Sequence, residues 1–309
     1  MCVKVSQMKQ VFALGTVAAA FALILGCGGN GGGTSSGGGG GGGGGGATGE
    51  RTAISDTVGG RPRVWVHDIK TNAFLQQAES STARNEMPAL SPDASKIAFI
   101  SNRSGSDELY VMTVNQPSTL QRLTTDSTID VSPAWISNNR LVWNKFIGGT
   151  DSEIVAMNLD GTNFVQLTDN AVDDKLPAVS ENGSTIAFLR AEGGRTHVIY
   201  TMPATGGTPT LVHRHQADRP SVSWNGSSEL FFTSVDGDVE SCMRISSTGG
   251  TPAKMTEGWG PKISPSGTRI MFARLVSGKA EVFTSTLTGS DVRQYTFTAE
   301  GVFAWDWES

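Results

Sequence analysis

The sequence has few charged residues and no excess of positive charge. Lysine and arginine together number 24, against 29 aspartates and glutamates, so the net charge at pH 7 is −5. Charged residues make up 17% of the chain, whereas about 25% is usual for a globular protein. Proteins that bind nucleic acid carry a basic patch and a strongly basic overall charge. The composition therefore argues against nucleic acid as a partner.

Cysteine is also scarce, with only three in 309 residues. Cys2 lies in a segment that we expect to be removed, and Cys27 is expected to carry lipid, for reasons given below. Cys242 is then left alone, which excludes an intramolecular disulfide framework. It falls in a strand pattern at a position where other repeats carry Leu109 or Ile199. We therefore predict that Cys242 is an inert buried thiol and not a nucleophile.

The apolar run near the N-terminus is too short to span a bilayer. Residues 11–25 form an uncharged, mostly apolar stretch, and a transmembrane helix needs roughly 20 residues. Lys4 and Lys9 precede the run, which gives the positive start that is typical of a secretory signal peptide. We therefore predict that the protein is exported.

The end of this run carries a more specific signal. Residues 24–27 read Ile-Leu-Gly-Cys, and this tetrapeptide resembles the lipoprotein box of bacteria. The resemblance implies cleavage after Gly26 and lipid attachment to Cys27, and Gly28 in place of Asp favours the outer membrane. We expect a signal peptide over residues 1–26 and a lipid-anchored envelope protein that faces the periplasm or the cell surface. The alternative is an ordinary cleaved signal with an incidental cysteine.

A glycine-rich segment follows the cysteine. Residues 28–46 contain fifteen glycines, which can bury no apolar surface and are costly to order. We predict that residues 27–50 form the lipidated cysteine and a flexible tether. Residues 33–37 read Gly-Thr-Ser-Ser-Gly and match a hydrolase pattern, but that pattern needs a strand before it and a helix after it. We assign no catalytic role to it.

The rest of the chain is a tandem repeat. Five similar segments begin at prolines spaced 45, 44, 43 and 41 residues apart. Each segment predicts a short strand, a tight turn rich in Pro, Asp, Asn, Ser and Gly, and three further strands. Four short strands in every repeat of this length are typical of the blades of a β-propeller. The prolines that begin the segments are Pro88, Pro133, Pro177, Pro220 and Pro261.

The two ends of the repeat region complement each other. Residues 303–305, Phe-Ala-Trp, match only the first strand of a repeat. The three missing strands are predicted over residues 52–56, 64–67 and 74–77. The sequence therefore predicts an all-β fold over residues 51–309: a six-bladed β-propeller with one composite blade that the N- and C-terminal strands close.

The repeat motif also points to a family. The pattern Pro-x-apolar-Ser-Pro-[Asp/Ser/Asn]-[Gly/Ala]-x-x-Ile-Ala-Phe, followed by [Leu/Ile]-Tyr-x-Met, fits best at residues 88–112 and 261–272. It resembles the WD-like repeat of the TolB-type β-propeller. With the expected anchor and tether, this resemblance implies a lipoprotein that meets the membrane through its lipid and binds another envelope protein. We expect the protein to be a monomer.

Six acidic residues form the candidate interaction site. Each precedes the first strand of a predicted blade by a few residues, so a propeller would place them around one mouth of its channel. Such a ring would attract a cation or a basic peptide. In the alternative interpretation, the acids only satisfy backbone donors of loops. The six residues are Glu86, Asp130, Asp174, Asp218, Glu257 and Glu300.

Other chemistry has weaker support in the sequence. His213 and His215 could ligate a metal together with Asp218, but zinc sites normally need three or four protein ligands. We therefore predict no metal site and no cofactor, and no Ser-His-Asp set or phosphate loop has a suitable context. Four tryptophans near first strands are expected to pack between blades, with a sugar-stacking platform as the alternative. They are Trp135, Trp224, Trp305 and Trp307.

These observations favour a non-catalytic envelope lipoprotein whose propeller is a scaffold for protein interaction. Two alternatives remain at this point. One is a propeller enzyme that acts on a carbohydrate or lactone, because propellers host such chemistry. The other is a polysaccharide-binding module that uses exposed tryptophans.

Overall fold

The fold was analysed in a computed structural model, which describes residues 51–58, 61–68, 73–147, 151–296 and 302–308. Within these ranges the regular elements are β-strands, and they form six antiparallel sheets of four strands each. The same ranges contain no helix with the length and hydropathy needed to cross a membrane. The predicted signal peptide and tether lie outside the described residues.

The strands are short and follow one another with few residues between them. In chain order they are β1 (Arg51–Val58), β2 (Arg61–Asp68), β3 (Ala73–Gln77), β4 (Asn85–Leu90), β5 (Lys96–Ser101), β6 (Glu108–Thr113), β7 (Gln116–Arg122), β8 (Asp130–Ser137), β9 (Arg140–Ile147), β10 (Asp151–Asn158), β11 (Val165–Gln166), β12 (Asp174–Val179), β13 (Thr185–Ala191), β14 (Thr196–Pro203), β15 (Thr210–Gln216), β16 (Val222–Asn225), β17 (Glu229–Asp236), β18 (Val239–Ser246), β19 (Ala253–Glu257), β20 (Trp259–Ile263), β21 (Arg269–Val276), β22 (Lys279–Thr286), β23 (Arg293–Gln294) and β24 (Val302–Glu308).

Five sheets are built from four consecutive strands, and the sixth joins the two ends of the chain. In that sheet the strand order is β24-β1-β2-β3, with Ile54 opposite Trp305 and Ala53 opposite Asp306. We call this composite sheet blade 1, and β4–β7, β8–β11, β12–β15, β16–β19 and β20–β23 blades 2 to 6. The predicted six-bladed propeller with one composite blade is confirmed.

Apolar clusters between neighbouring blades hold the ring together. Side chains alternate between the two faces of a strand, so Ile97 and Phe99 of β5 pack toward blade 1, while Ala98 and Ile100 pack toward blade 3. Six such clusters are found among the described residues, one at each blade interface. The last of them joins Met271 of blade 6 to blade 1 and closes the ring.

The Ser-Pro-Asp part of the repeat makes the turn after the first strand. In blade 2, Asp93 Oδ1 accepts hydrogen bonds from the hydroxyls of Ser91 and Ser95 at 2.6 and 2.8 Å and from the backbone N–H of Ser95 at 3.0 Å. The Ser91 hydroxyl accepts a 2.9 Å hydrogen bond from the N–H of Lys96. Asn182 makes the corresponding bonds in blade 4. The repeated serines and the Asp or Asn of the motif therefore close a turn and need no ligand to explain them.

Cys242 is fully buried at the interface between blades 5 and 6. Burial raises the pKa of its thiol, which keeps the sulfur protonated and unreactive at neutral pH. The prediction of an inert buried thiol agrees with this environment.

Candidate functional site

A cavity of about 420 Å³ lies where the first strands of all six blades meet. Because every blade contributes to its wall, the cavity is on the axis of the ring. The walls are formed by the later part of each first strand and by the turn that follows it. One lining residue from each blade, in ring order from blade 2, is Pro88, Trp135, Pro177, Ser223, Lys262 and Asp306.

Two tryptophans fix the wall by bonding across blade interfaces. Trp135 Nε1 donates a 2.9 Å hydrogen bond to the carbonyl oxygen of Ala89, and Trp224 Nε1 donates a 3.1 Å hydrogen bond to that of Ala178. Both indoles are buried. The prediction that these tryptophans pack between blades is confirmed for Trp135 and Trp224. The side chains of Trp305 and Trp307 lie outside the described part of the structure.

A charge pair lies in the cavity wall, which also contains prolines, apolar side chains and several polar groups. Lys262 Nζ lies 3.4 Å from Asp306 Oδ1, and Asp306 Oδ2 accepts a 2.9 Å hydrogen bond from the backbone N–H of Leu90. Asp306 thereby links blades 1, 2 and 6 around the axis. The sequence prediction missed this pair. The available signal was a lysine directly after the anchor proline, where other repeats carry alanine or serine.

The structure separates the five predicted acids that it describes from this cavity. The acids precede the anchor prolines, whereas the cavity is lined by the prolines and by residues that follow them. Glu86, Asp130 and Asp174 are buried at the beginning of β4, β8 and β12. Asp218 and Glu257 are more than half exposed. Glu300 lies outside the described residues, and binding by a ring of these acids stays a prediction.

The buried acids are paired with cations of their own blade. Asp174 receives two hydrogen bonds of 2.7 Å from the Arg190 guanidinium. Asp130 Oδ1 lies 2.9 Å from Lys145 Nζ, and Glu86 lies 3.3 Å from Arg84. Burial raises the pKa of Glu86 above its usual range, and Arg84 opposes that shift. The sequence prediction missed Lys145 and Arg190, although each stands two residues after the aromatic residue of the second strand.

A β-bulge lies between the acid and the cavity in four blades. The residue before the anchor proline has a left-handed backbone, with φ of 53° at Met87, 55° at Ser132, 54° at Leu176 and 65° at Gly260. The pairing register shifts at each of these positions. A bulge places two residues opposite one and redirects the strand. This is why acids and cavity-lining residues that are close in sequence are brought to different surroundings.

Three histidines come together at the outer part of blade 4. His197 of β14 is directly opposite His215 of β15, and His213 and His215 both contact the ring of Phe232 in blade 5. Burial lowers the pKa of His197 to about 4 and that of His215 to about 3. The sequence analysis weighed Asp218 as a metal ligand together with His213 and His215. In the structure Asp218 is ion-paired with Arg195 at 2.6 Å.

Comparison with known proteins places this architecture in a family. Residues 46–260 match the TolB beta propeller domain family. The protein TolB homolog of Chlorobium luteolum is 30% identical over 166 residues, which cover 52% of this chain and 37% of that protein. The Tol-Pal system protein TolB of Anaeromyxobacter dehalogenans strain 2CP-C is 32% identical over 87 residues, or 28% of this chain and 19% of that protein. The chain thus aligns with well under half the length of either relative.

The fold is also similar to that of a solved structure. TolB from Acinetobacter baumannii superimposes with a TM-score of 0.72 over 84% of this chain and 66% of that one, at 16% identity. This likeness concerns the propeller fold, in agreement with the six blades described above. Since the family match spans most of the chain and its motif builds the blades, the chain belongs to the TolB beta propeller domain family.

Proposed function

We propose that this protein is a non-catalytic scaffold of the bacterial cell envelope, and that its propeller binds another envelope protein. The observation that carries the proposal is the axial cavity, whose wall is fixed by hydrogen bonds between blades and interrupted by one charge pair. Relatives that share the propeller are named as Tol-Pal system proteins. Their name supports an interaction role within the envelope.

The mouth of the axial cavity is the surface that we assign to the partner. Pro92, Pro265 and the exposed Glu181 line it from blades 2, 6 and 4. Proline has no N–H donor and a fixed φ, so the mouth is rigid and loses little entropy on binding. A rigid surface that is formed before binding favours affinity, because less ordering is needed.

Photocrosslinking tests this assignment. A photoreactive amino acid in place of Glu181 at the mouth is expected to give one discrete adduct in intact cells. The matched control carries the same group in place of Leu211, an exposed residue on the outer strand β15. An adduct at both positions, or at position 211 alone, would place the partner elsewhere. Lys262→Glu should reduce the adduct at position 181, because it reverses one charge of the axial pair.

We further propose that lipid on Cys27 anchors the propeller to the outer membrane, with residues 27–50 as tether and residues 1–26 as the removed signal. The support is the lipoprotein-like tetrapeptide at residues 24–27 and the glycine-rich stretch behind it. Metabolic labelling with a fatty acid should label the wild type and Cys242→Ser equally and leave Cys27→Ser unlabelled. Labelled Cys27→Ser protein would refute the anchor while leaving the proposed propeller interaction open to the crosslinking test.

A further inference from the structure

Three carboxylates converge at the interface between blades 2 and 3, away from the axial cavity. They belong to Glu108 at the start of β6, Asp130 at the start of β8 and Asp126 in the loop before β8. One oxygen of each lies within 4.8 Å of one oxygen of the others. Glu108 and Asp130 are completely buried, whereas the Asp126 side chain is 52% exposed. The cluster therefore has a buried floor and an opening to solvent.

Two oxygens on the floor of this cluster lack a well-aligned hydrogen-bond donor. Glu108 Oε1 is bonded to Ser106 and to Arg122, each at 2.7 Å. Asp130 Oδ1 is bonded to Trp143 Nε1 at 2.7 Å and to Lys145 Nζ at 2.9 Å. Glu108 Oε2 and Asp130 Oδ2 are buried, and neither receives a well-aligned hydrogen bond from the residues that the structure describes, although the Thr124 hydroxyl lies beside Asp130. A buried carboxylate oxygen without a partner is costly, so these atoms call for a cation or a proton.

The charges of the cluster lead to the same requirement. Three carboxylates face two cations, because Lys145 bridges Asp126 and Asp130 and Arg122 pairs with Glu108. One negative charge is left over at a largely buried place.

The next blade interface carries the same arrangement without the deficit of donors, although its two buried acids, Glu153 and Asp174, also face a single cation, Arg190. There Glu153, Asn170 and Asp174 stand where the cluster has Glu108, Asp126 and Asp130. Asn170 and Asp126 each come two residues after the threonine that follows the fourth strand of the blade. The Asn170 side-chain amide donates to Asp174 Oδ2 at 2.8 Å and to Glu153 Oε2 at 3.4 Å. Its backbone N–H donates to Glu153 Oε1 at 2.6 Å. At this second interface a side-chain amide joins the two buried acids.

Two differences in sequence create the deficit between blades 2 and 3. Asp126 replaces the bridging amide of Asn170 with a third acid. Lys145 replaces Arg190, whose two-pronged contact satisfies both oxygens of Asp174, and the single ammonium group reaches only one oxygen of Asp130. Both changes remove hydrogen-bond donors from the buried carboxylates. The change from Asn170 to Asp126 also adds a carboxylate that can bind a cation.

We propose that Glu108, Asp126 and Asp130 bind a divalent cation of the Ca²⁺ type at the interface between blades 2 and 3. Ca²⁺ takes about seven oxygen ligands in flexible geometry and accepts carboxylates together with water. The buried oxygens of Glu108 and Asp130 supply the floor of the site, and the exposed Asp126 supplies the entrance. The bound cation neutralises the surplus charge and joins two blades.

The test measures thermal unfolding of the full chain, stripped of metal with a chelator, with and without Ca²⁺. At a hundredfold excess over the dissociation constant we expect the wild-type Tm to rise by about 5 °C or more. Asp126→Asn reproduces the Asn170 arrangement, so it should fold, lose the Ca²⁺ response and be at least as stable as the metal-free wild type. Asp169→Asn removes an exposed acid next to Asn170 and should keep the full response.

A spectroscopic measurement reports on the same place. Tb³⁺ bound there should show emission sensitised by the indole of Trp143, which donates to Asp130. Ca²⁺ should compete the emission away, and Glu108→Gln and Trp143→Phe should each reduce it. The proposal is overturned if the wild type shows no Ca²⁺ response, as expected if Glu108 and Asp130 share a proton. It is also overturned if Asp126→Asn responds like the wild type.

Discussion

The indole Nε1 of Trp135 in blade 3 donates a 2.9 Å hydrogen bond to the carbonyl oxygen of Ala89 in blade 2. Trp135→Phe keeps an aromatic ring at this interface but leaves the Ala89 oxygen without its donor. We expect a loss of about 2 kcal/mol in the free energy of unfolding, measured by urea denaturation. Trp224→Phe removes the equivalent bond to Ala178 and should cost a similar amount.

A suitable control for this prediction is Trp259→Phe. Trp259 is partly exposed and stacks on the guanidinium of Arg219 at 4.3 Å, and phenylalanine retains a ring for that contact. We expect a loss of less than about 1 kcal/mol. Equal losses in all three variants would show that ring size, and not the bond between blades, sets the cost.

Gly183 and Gly267 occupy the same position of the first turn in blades 4 and 6, with φ of +69° and +68°. A Cβ on Gly183 would lie 2.6 Å from the carbonyl oxygen of Ile136 in blade 3, whereas nothing lies within 4 Å of a Cβ on Gly267. Ala94 holds this position in blade 2 with φ of 50°, so the turn itself accepts alanine.

We therefore expect Gly267→Ala to cost about 1 kcal/mol, for the left-handed backbone alone. Gly183→Ala should cost about 3 kcal/mol, because blade 3 must also move. Thermal unfolding of the two variants measures the difference. Similar melting temperatures of the two variants would contradict the prediction, because they would mean that blades 3 and 4 make room for the added methyl group without loss of stability.

The histidines of blade 4 make stability depend on pH. Burial lowers the pKa of His215 to about 3, helped by His197 and His213, and burial together with Lys175 lowers the pKa of His197 to about 4. Below pH 6.5 the unfolded chain takes up protons that the folded chain refuses, so stability falls as pH falls. The slope approaches about 1.4 kcal/mol per pH unit for each histidine, and it ends near the folded pKa values.

The comparison with His215→Leu isolates this contribution, because the buried carboxylates titrate in both proteins. The variant should lose less stability than the wild type between pH 6.5 and about 4. His213→Leu, at a less buried position of the same strand, should keep most of the wild-type slope. Identical slopes for the wild type and His215→Leu would contradict the assignment.

The acids before the first strands should differ in their effect on stability. Asp174→Asn breaks a buried pair with Arg190 and is expected to cost about 3 kcal/mol. Asp218→Asn breaks an exposed pair with Arg195 and should cost about 0.5 kcal/mol or less. Urea denaturation separates the two.

Binding by the acidic ring needs its own measurement. If the ring attracts basic ligands, the double variant Asp218→Asn, Glu257→Gln should bind a polylysine peptide more weakly than the wild type at low salt. Asp169→Asn provides a control with one exposed acid removed outside the ring. Unchanged binding by the double variant would reject the ring as an interaction site.

The sequence predicts the blades well because their signals are local. A proline, a turn rich in Ser, Asp, Asn and Gly, and an apolar strand recur in blades 2 to 6, and every one of them acts within a few residues. The composite blade follows from the same pattern: residues 52–56 and 303–305 fall within the paired strands Arg51–Val58 and Val302–Glu308. Only the strand ends differ, by one to three residues.

The surroundings of the acids could not be predicted in the same way. Left-handed backbone at Met87, Ser132 and Leu176 has no glycine to announce it, so the bulges leave no mark in the sequence. Because the sequence does not reveal the bulges, it gives no reason to place an acid and a cavity-lining residue three positions later in different surroundings. The cations that pair with Asp130 and Asp174 come from the next strand of the same blade, and the pattern around each acid does not show such contacts.

The pairing of Arg51–Val58 with Val302–Glu308 has a consequence for biogenesis. During vectorial synthesis, β1 is the first of the described strands to emerge, and its final neighbour follows only after all the others. Throughout that interval β1 exposes an unsatisfied edge, which is a template for intermolecular aggregation. A chain that ends before β24 would leave this edge of β1 unpaired, so we expect such a truncated product to aggregate more readily than the closed ring.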